Sequence, residues 1–362
     1  MKISIALATY NGEAYIWDQL NSLANQTYLP QELIVCDDGS VDRTLYWVKI
    51  FAEIAPFPVH IYRNEKPLGL ADNFLQAASL CKGDLIAFCD QDDVWLPEKL
   101  QYCLALFTYK PELMLFSHNA WVSDEKLSKI KLLSSHTTCI YERGDFQPFV
   151  YPLMSFTQVF RKELVQNIPW NTGPGAEESI QPKSHDSLIY RACWVAIMAT
   201  SLGKVMVSDT VLAFYRQHRK DAIGLEQGNK VEMQEFRDRL RWVSSLQTRN
   251  YLELQGLYQE YADCLEKVSK DVASDHALLL LEASVQYRKI ARAFSNREAL
   301  YEENLNVCKK VQQLAKLVGQ RTYIQLHRGG LGIECFFKDL AYAIMAESMI
   351  EPTYLPPQSP TT

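Results

Sequence analysis

The sequence predicts an α/β protein, a mixed sheet flanked by helices with a helical extension behind it. Three observations carry this. Over the first hundred residues, apolar runs of strand length alternate four times with segments whose apolar residues recur at helical spacing. That is the pattern of a parallel sheet with crossover helices. Polar residues cluster directly after the strand-like runs, on what such a sheet makes one edge: Thr9 and Asn11, then Asp37 and Asp38, then Asp90 to Asp93. From about Val231 onward, apolar residues recur at helical intervals only, among Glu, Arg and Gln.

In order, Lys2 to Thr9 reads as a strand ending in the turn signal Tyr10-Asn11-Gly12. Tyr15, Ile16, Leu20 and Leu23 mark a helix ending near Asn25-Gln26. Glu32 to Cys36 is a second strand, running into Asp37-Asp38-Gly39-Ser40. Asp42 caps a helix that faces Leu45, Val48, Phe51 and Ile54 inward. Val59 to Tyr62 is a third strand, and a loop with Asn64, Pro67 and Gly69 leads to a helix over about 71–81. Asp84 to Cys89 is the fourth strand, and Pro97 reads as the first residue of the next helix.

The densest chemistry is Asp90-Gln91-Asp92-Asp93, three carboxylates at a buried strand end. Packed carboxylates repel unless a cation lies among them, and hard divalent ions take oxygen ligands and share them with phosphates. A solvated acidic turn has the same composition. No glycine-rich phosphate loop of either the G-x-G-x-x-G or the G-K-[ST] kind is present, so phosphate binding at this edge would fall to a metal.

The chain has 362 residues, 48% apolar and 22% charged, enough for one large or two modest domains. A net charge of −6 gives no electrostatic case for nucleic acid. Nine scattered cysteines, none in C-x-x-C spacing, suggest a reducing compartment. No charged leader with a small-residue cleavage site opens the sequence, and no apolar stretch is long enough for a membrane span. The expectation is a cytoplasmic protein, at most peripheral to the inner face of a membrane.

Beyond Pro97, a helix carries Leu100, Leu104 and Phe107, and Leu113 to Val122 reads as one or two strands in which His118 is a structural histidine. Residues 123–149 lack periodicity and read as loops. Ser184 caps a helix in Ser184-His185-Asp186, where Asp186 is a first-turn carboxylate favourable to the helix dipole. Gly203 to Ser208 and Val211 to Tyr215 read as two strands, ending in Tyr215-Arg216-Gln217-His218.

Five stretches in this order resemble the nucleotide-binding half of family 2 glycosyltransferases with the GT-A fold: Ala8 to Gly12, Asn25 to Tyr28, Ile34 to Thr44, Gly69 to Asn73, and Gly83 to Trp95. The resemblance implies a Rossmann-like GT-A sheet, a nucleotide-sugar donor (UDP- or dTDP-sugar), Mg²⁺ or Mn²⁺, and an inverting transfer to a glycan or lipid-linked acceptor. It places Thr9, Asn11, Asp37 and Asp38 on the nucleoside, Asp90 on the ribose or the metal, and Asp92 on the metal. Asp93 is either a further member of that site or a cap for the following helix. The resemblance further implies Asp186 as the base that takes the acceptor proton, with His185 and Trp95 on the acceptor side. Arg216 is set on the donor phosphates, and His218 is a third metal ligand or a phosphate donor. Ser155-Phe156 stands where the family's acceptor-facing turn has a small pair. The closing Tyr-Arg-Gln-His resembles rhamnosyltransferase-like bacterial members that build surface polysaccharides.

The expected organisation is a catalytic domain over 1–225, with a nucleotide-binding half 1–100 and an acceptor half 101–225. A helical region follows over 226–350, then a proline-rich tail over 351–362. The helical region predicts long helices over 277–294 and 298–318. Its basic residues beside the apolar Leu331, Phe336, Phe337 and Leu340 suit packing on the core, self-association or contact with an anionic membrane. Two other functions fit less of the sequence: a non-catalytic nucleotide-sugar-binding or scaffold protein, and a metal-dependent nucleotidyltransferase.

Overall fold

The computed structural model describes residues 1–135, 137–144, 154–166, 194–217, 248–298, 300, 305–320, 322–323, 336–337 and 339–340. The chain forms two compact units, the first comprising Met1–Asp145, Phe149–Gly224 and Asp263–Ser284, the second Phe146–Pro148, Leu225–Ala262 and Val285–Thr362.

The first unit is built on a mixed sheet. β1 (Ile3–Thr9), β2 (Glu32–Asp37) and β4 (Leu85–Cys89) are buried along their whole length, so they read as continuous apolar runs and not as alternation. They pair in parallel with one another and with β3 (Val59–Arg63). The crossovers between them are α1 (Ile16–Ala24), α2 (Thr44–Ile54) and α3 (Leu70–Leu80), which bury Ile16, Leu20 and Leu23, then Val48 and Phe51, then Phe74 and Leu75. After the acidic stretch come β5 (Val94–Trp95), α4 (Lys99–Tyr109) and the long β6 (Leu113–Ser123). β7 (Lys129–Leu132) and β8 (Cys139–Tyr141) follow. Next are a 3-10 turn (Ser155–Thr157), β9 (Gln158–Arg161), α5 (Glu163–Gln166), α6 (Trp194–Leu202) and β10 (Lys204–Arg216). The strand order is β3-β2-β1-β4-β9-β6-β10-β5, with β7 on β6 and β8 on β10. β9 runs antiparallel to both β4 and β6. The mixed α/β sheet flanked by helices is the expected fold class.

Four local expectations change. Residues 123–149 are not all loop, since β7 pairs with β6 and β8 with β10. All four β7 residues are exposed, so no inward-outward alternation marks the strand. The two strands expected over 203–215 are one, β10, bent by register shifts near Val207–Ala213. α4 begins at Lys99, two residues after Pro97, through the turn bond from Lys99 N–H to Leu96 O at 3.1 Å. The helix expected from Glu298 starts at Val307.

The described second unit is helical. The parts of α7 (Thr248–Ser269) and α8 (Ser274–Glu298) outside Asp263–Ser284 contribute Tyr258, Tyr287 and Phe294 to a ring stack with centroids 5.5–5.9 Å apart. The third helix is α9 (Val307–Gly319), capped by Asn306, whose side chain accepts from Lys309 N–H at 3.0 Å. Arg297 is buried and forms a bidentate pair with buried Asp339, which also accepts from Tyr323 Oη at 2.6 Å.

Candidate active site

The parallel pairing puts the C-terminal ends of β1, β2 and β4 on one edge, with Thr9 in register with Asp37 and Leu7 with Cys89. The buried Asp37 carboxylate accepts from Thr9 Oγ1 at 3.1 Å, Ser40 N–H at 3.0 Å and the Ser40 hydroxyl. Asp38 accepts from Leu68 N–H at 2.7 Å, Gly69 N–H at 2.8 Å and Asn64 Nδ2 at 2.8 Å, fixing the loop before α3. Asn11 takes a left-handed φ of 49°, a region Asn tolerates better than most residues. Its side-chain oxygen accepts from Val41 N–H at 3.0 Å and its N–H donates to Ser40 Oγ at 2.9 Å. Thr9, Asn11, Asp37 and Asp38 are therefore brought together, with Asp37 bonding mostly within its own loop and Asp38 to the loop before α3.

Gln91 ties the acidic stretch to the first turn. Its side chain accepts from Tyr10 N–H at 3.0 Å and donates to Tyr10 O at 2.9 Å. A Cβ on Gly12 would meet the end of the Gln91 side chain, so any larger residue there displaces Gln91 from Tyr10.

Asp90 and Asp93 are pressed together with Asp92. Burial, and then the Asp92 charge, push Asp90 up to about 7, while the bond from Ser155 Oγ at 3.2 Å opposes the rise. Burial, followed by Asp92 and Asp90, drives Asp93 well above the carboxylate range. Asp93 does not cap α4, whose N-cap is Glu98. Its Oδ1 accepts from Arg216 N–H at 3.2 Å, and its buried Oδ2 has no hydrogen-bond partner.

Two cations lie behind these carboxylates. Arg216 is 3% exposed. Its guanidinium donates to Asp92 O at 2.9 Å, Glu125 O at 2.6 Å and Asp18 Oδ2 at 2.9 Å, and stacks 4.9 Å from the Tyr15 ring centre. Lys99 is fully buried, with Nζ donating to Phe156 O at 2.8 Å and standing 3.5 Å from the Trp95 ring centre. Desolvation pulls Lys99 down to about 8, and the charges of Cys103, Cys89, Asp93 and Asp90 resist that fall. Trp95 is buried beneath Lys99 with its indole N–H unpaired. His118 is a buried structural histidine, its Nδ1 2.7 Å from Asn119 O.

His185, Asp186 and His218 lie outside the described residues. Among the described residues no three His, Cys, Asp or Glu side chains converge as a metal-binding group. Sequence reasoning missed Lys99, Ser155 as a partner of Asp90, and Gln91. The partners of Lys99 and Gln91 are 57 and 81 residues away, so no local pattern announces them.

Residues 4–168 match the family model described as Glycosyl transferase family 2. The chain is 28% identical over 166 residues to the Escherichia coli UDP-Glc:alpha-D-GlcNAc-diphosphoundecaprenol beta-1,3-glucosyltransferase WfgD, covering 42% of this chain and 64% of that protein. It is 36% identical over 98 residues to the E. coli glucosyltransferase WfaP, named for the same reaction, covering 27% and 38% of the two chains. Among solved structures, S. aureus TarS 1-349 aligns with a TM-score of 0.48 and 15% identity, over 94% of this chain and 91% of that one. The chain thus spans less than two thirds of the length of these two curated relatives. No helix among the described residues is long and apolar enough to cross a membrane.

Proposed function

We propose that this chain is an inverting glycosyltransferase that moves a hexosyl group from a nucleotide-sugar to a hydroxyl of a glycan or lipid-linked acceptor in bacterial surface polysaccharide synthesis. The observation that carries the reading is the convergence of Thr9, Asn11, Asp37, Asp38 and the Asp90–Asp93 stretch on one sheet edge within the family 2 region. The relatives WfgD and WfaP are named as transferring glucose from UDP-Glc to a GlcNAc-diphosphoundecaprenol acceptor. That favours a UDP-hexose and a lipid-linked diphosphate acceptor over a dTDP-deoxyhexose, and so over rhamnosyl transfer.

Charge supports a divalent cation. Asp90, Asp92 and Asp93 stand together at the strand end, and a divalent ion among them would offset the burial and the mutual repulsion that raise Asp90 and Asp93. The buried Asp93 Oδ2, which has no hydrogen-bond partner, is an oxygen such an ion would take. Asp92 and Asp90 would hold the ion, with His218 as a third ligand. Bound there, Mg²⁺ or Mn²⁺ supplies Lewis-acid stabilisation to a departing diphosphate.

The chain's own groups do the rest. Thr9, Asn11, Asp37 and Asp38 shape the nucleoside cradle. Asp186 takes the proton from the acceptor hydroxyl as its oxygen attacks the anomeric carbon from the face opposite the nucleotide, with His185 beside it. Arg216 serves the donor by holding the acidic loop, since its guanidinium is turned onto Asp92, Glu125 and Asp18. Residues 1–225 carry this chemistry, and 226–350 serve docking, self-association or membrane contact.

Incubation with a panel of UDP- and dTDP-sugars, with Mn²⁺ and with chelator, tests the reading. Metal-dependent hydrolysis or transfer from a UDP-hexose is expected. Failure to bind or turn over any member overturns it.

A further inference from the structure

The 3-10 turn Ser155–Thr157 lies 65 residues beyond Asp90, yet two consecutive residues of it bond to the acidic end of the sheet. Ser155 Oγ donates to Asp90 Oδ2 at 3.2 Å, and Phe156 O accepts from Lys99 Nζ at 2.8 Å. Lys99 has little freedom to choose another partner. It is fully buried at the start of α4, its ammonium is sandwiched against Trp95, and Phe156 is itself stacked on Tyr215 at 5.3 Å and 9°. The turn is fixed from behind as well, by Thr157 Oγ1 to Ser117 Oγ at 2.8 Å and Thr157 N–H to Met154 O at 3.0 Å. β9 then carries the same segment into the ladder beside β4, with Ala87 in register with Val159.

We propose that Ser155 and Lys99 are positioning residues for Asp90: one sets the rotamer of the Asp90 carboxylate and the other anchors the turn that carries Ser155. The carboxylate end of β4 and the turn at 155–157 then form one rigid piece. Rearrangement of the turn changes how Asp90 presents its oxygens to a cation, and loading of Asp90 stiffens the turn. This rests on the glycosyltransferase reading for its use, while the bridge itself is a property of the fold. At 3.2 Å the bond is long for a hydroxyl on a carboxylate, so the turn fixed behind Ser155, more than the strength of the bond, sets where its Oγ stands.

The test is a double-mutant cycle of S155A and D90N on the full chain, with S155T and K99M alongside. Two readouts are used: hydrogen exchange of the peptide spanning 154–161, and Mn²⁺ affinity from the free-ion EPR signal. D90N and S155A are each expected to speed exchange in 154–161 about tenfold, and the double variant to be no faster than either single one. S155A is expected to weaken Mn²⁺ binding about tenfold, with S155T restoring it, and K99M to reproduce both effects. Additive exchange effects, or Mn²⁺ binding by folded S155A equal to wild type, overturn the proposal. A wild-type chain that binds no Mn²⁺ and turns over no nucleotide-sugar removes the catalytic reading. The exchange cycle then decides the bridge alone, non-additivity supporting it and additivity overturning it.

Discussion

Arg216 holds Asp92 through the main chain. Its Nε–H donates to the Asp92 carbonyl at 2.9 Å, while its own backbone N–H reaches Asp93 Oδ1 at 3.2 Å. A guanidinium spent on two carbonyls and on Asp18 is an organiser of the loop. Arg216→Ala leaves the Asp92 and Glu125 carbonyls short of a donor and the exposed Asp18 carboxylate without its neighbouring charge. Losing such bonds costs about 1–3 kcal/mol, readable as a lowered urea midpoint. A variant with wild-type stability and only a raised donor KM would return Arg216 to the phosphates.

Asp186→Asn is expected to lower transfer by about 10²–10⁴, the usual worth of a positioned general base, while leaving donor binding within about twofold. Calorimetric titration beside product formation separates the two. Near-normal turnover would remove Asp186 from the role.

The raised Asp90 gives stability a pH dependence of known sign. Folding favours its protonated form, so its contribution is fully present below the ordinary Asp value of about 3.9 and is lost as pH rises through about 7. Asp90→Asn has no proton to lose there. Its stability should therefore gain on wild type steadily between about pH 4 and 7, and the gap should shrink when Mn²⁺ is added to the wild type. Parallel stability curves for the two proteins would rule this out.

Gly12→Ala places a methyl group where Gln91 Oε1 stands. Gln91 must release Tyr10, giving up two hydrogen bonds. A loss of about 1–3 kcal/mol is expected. Gln91→Ala in the same background should recover part of it, because the clash disappears with the side chain. If the double variant is less stable than Gly12→Ala alone, the clash is not the cause.

In the second unit, Asp339→Asn leaves the buried Arg297 charge facing a neutral partner. Breaking a buried pair from one side costs about 3–5 kcal/mol, visible as a drop in the helical melting transition. An unchanged transition would mean that Arg297 finds water or another acceptor.

The sequence makes the first half of the fold legible because β1, β2 and β4 are buried on both faces and their apolar runs are unbroken. The acidic edge is legible for a related reason, since strand ends in a parallel sheet share one side. Lys99 is illegible. A lysine at a helix start reads as surface, and its burial is made tolerable by a carbonyl 57 residues away together with the Trp95 ring. β7 escapes for the opposite reason, since it pairs with β6 while every one of its residues is exposed. Asp93 reads as a cap because caps are local, whereas its partner, the Arg216 amide, arrives 123 residues later.

β9 is the single antiparallel strand between β4 and β6, and it borrows a hydrogen-bonding edge from each. A recombination experiment that joins residues 1–100 of this chain to the later half of a relative would therefore have to match a seam as well as an end-to-end junction. The inserted strand must keep the register that Gln158 to Arg161 hold, opposite Leu85, Ile86 and Ala87 on one side and Leu115 to Ser117 on the other. Chimeras that ignore this leave β4 as an open, fully apolar edge and invite intermolecular pairing. Evolutionary exchange of substrate preference along this scaffold is thereby steered toward the loops, which can be traded without reopening the ladder.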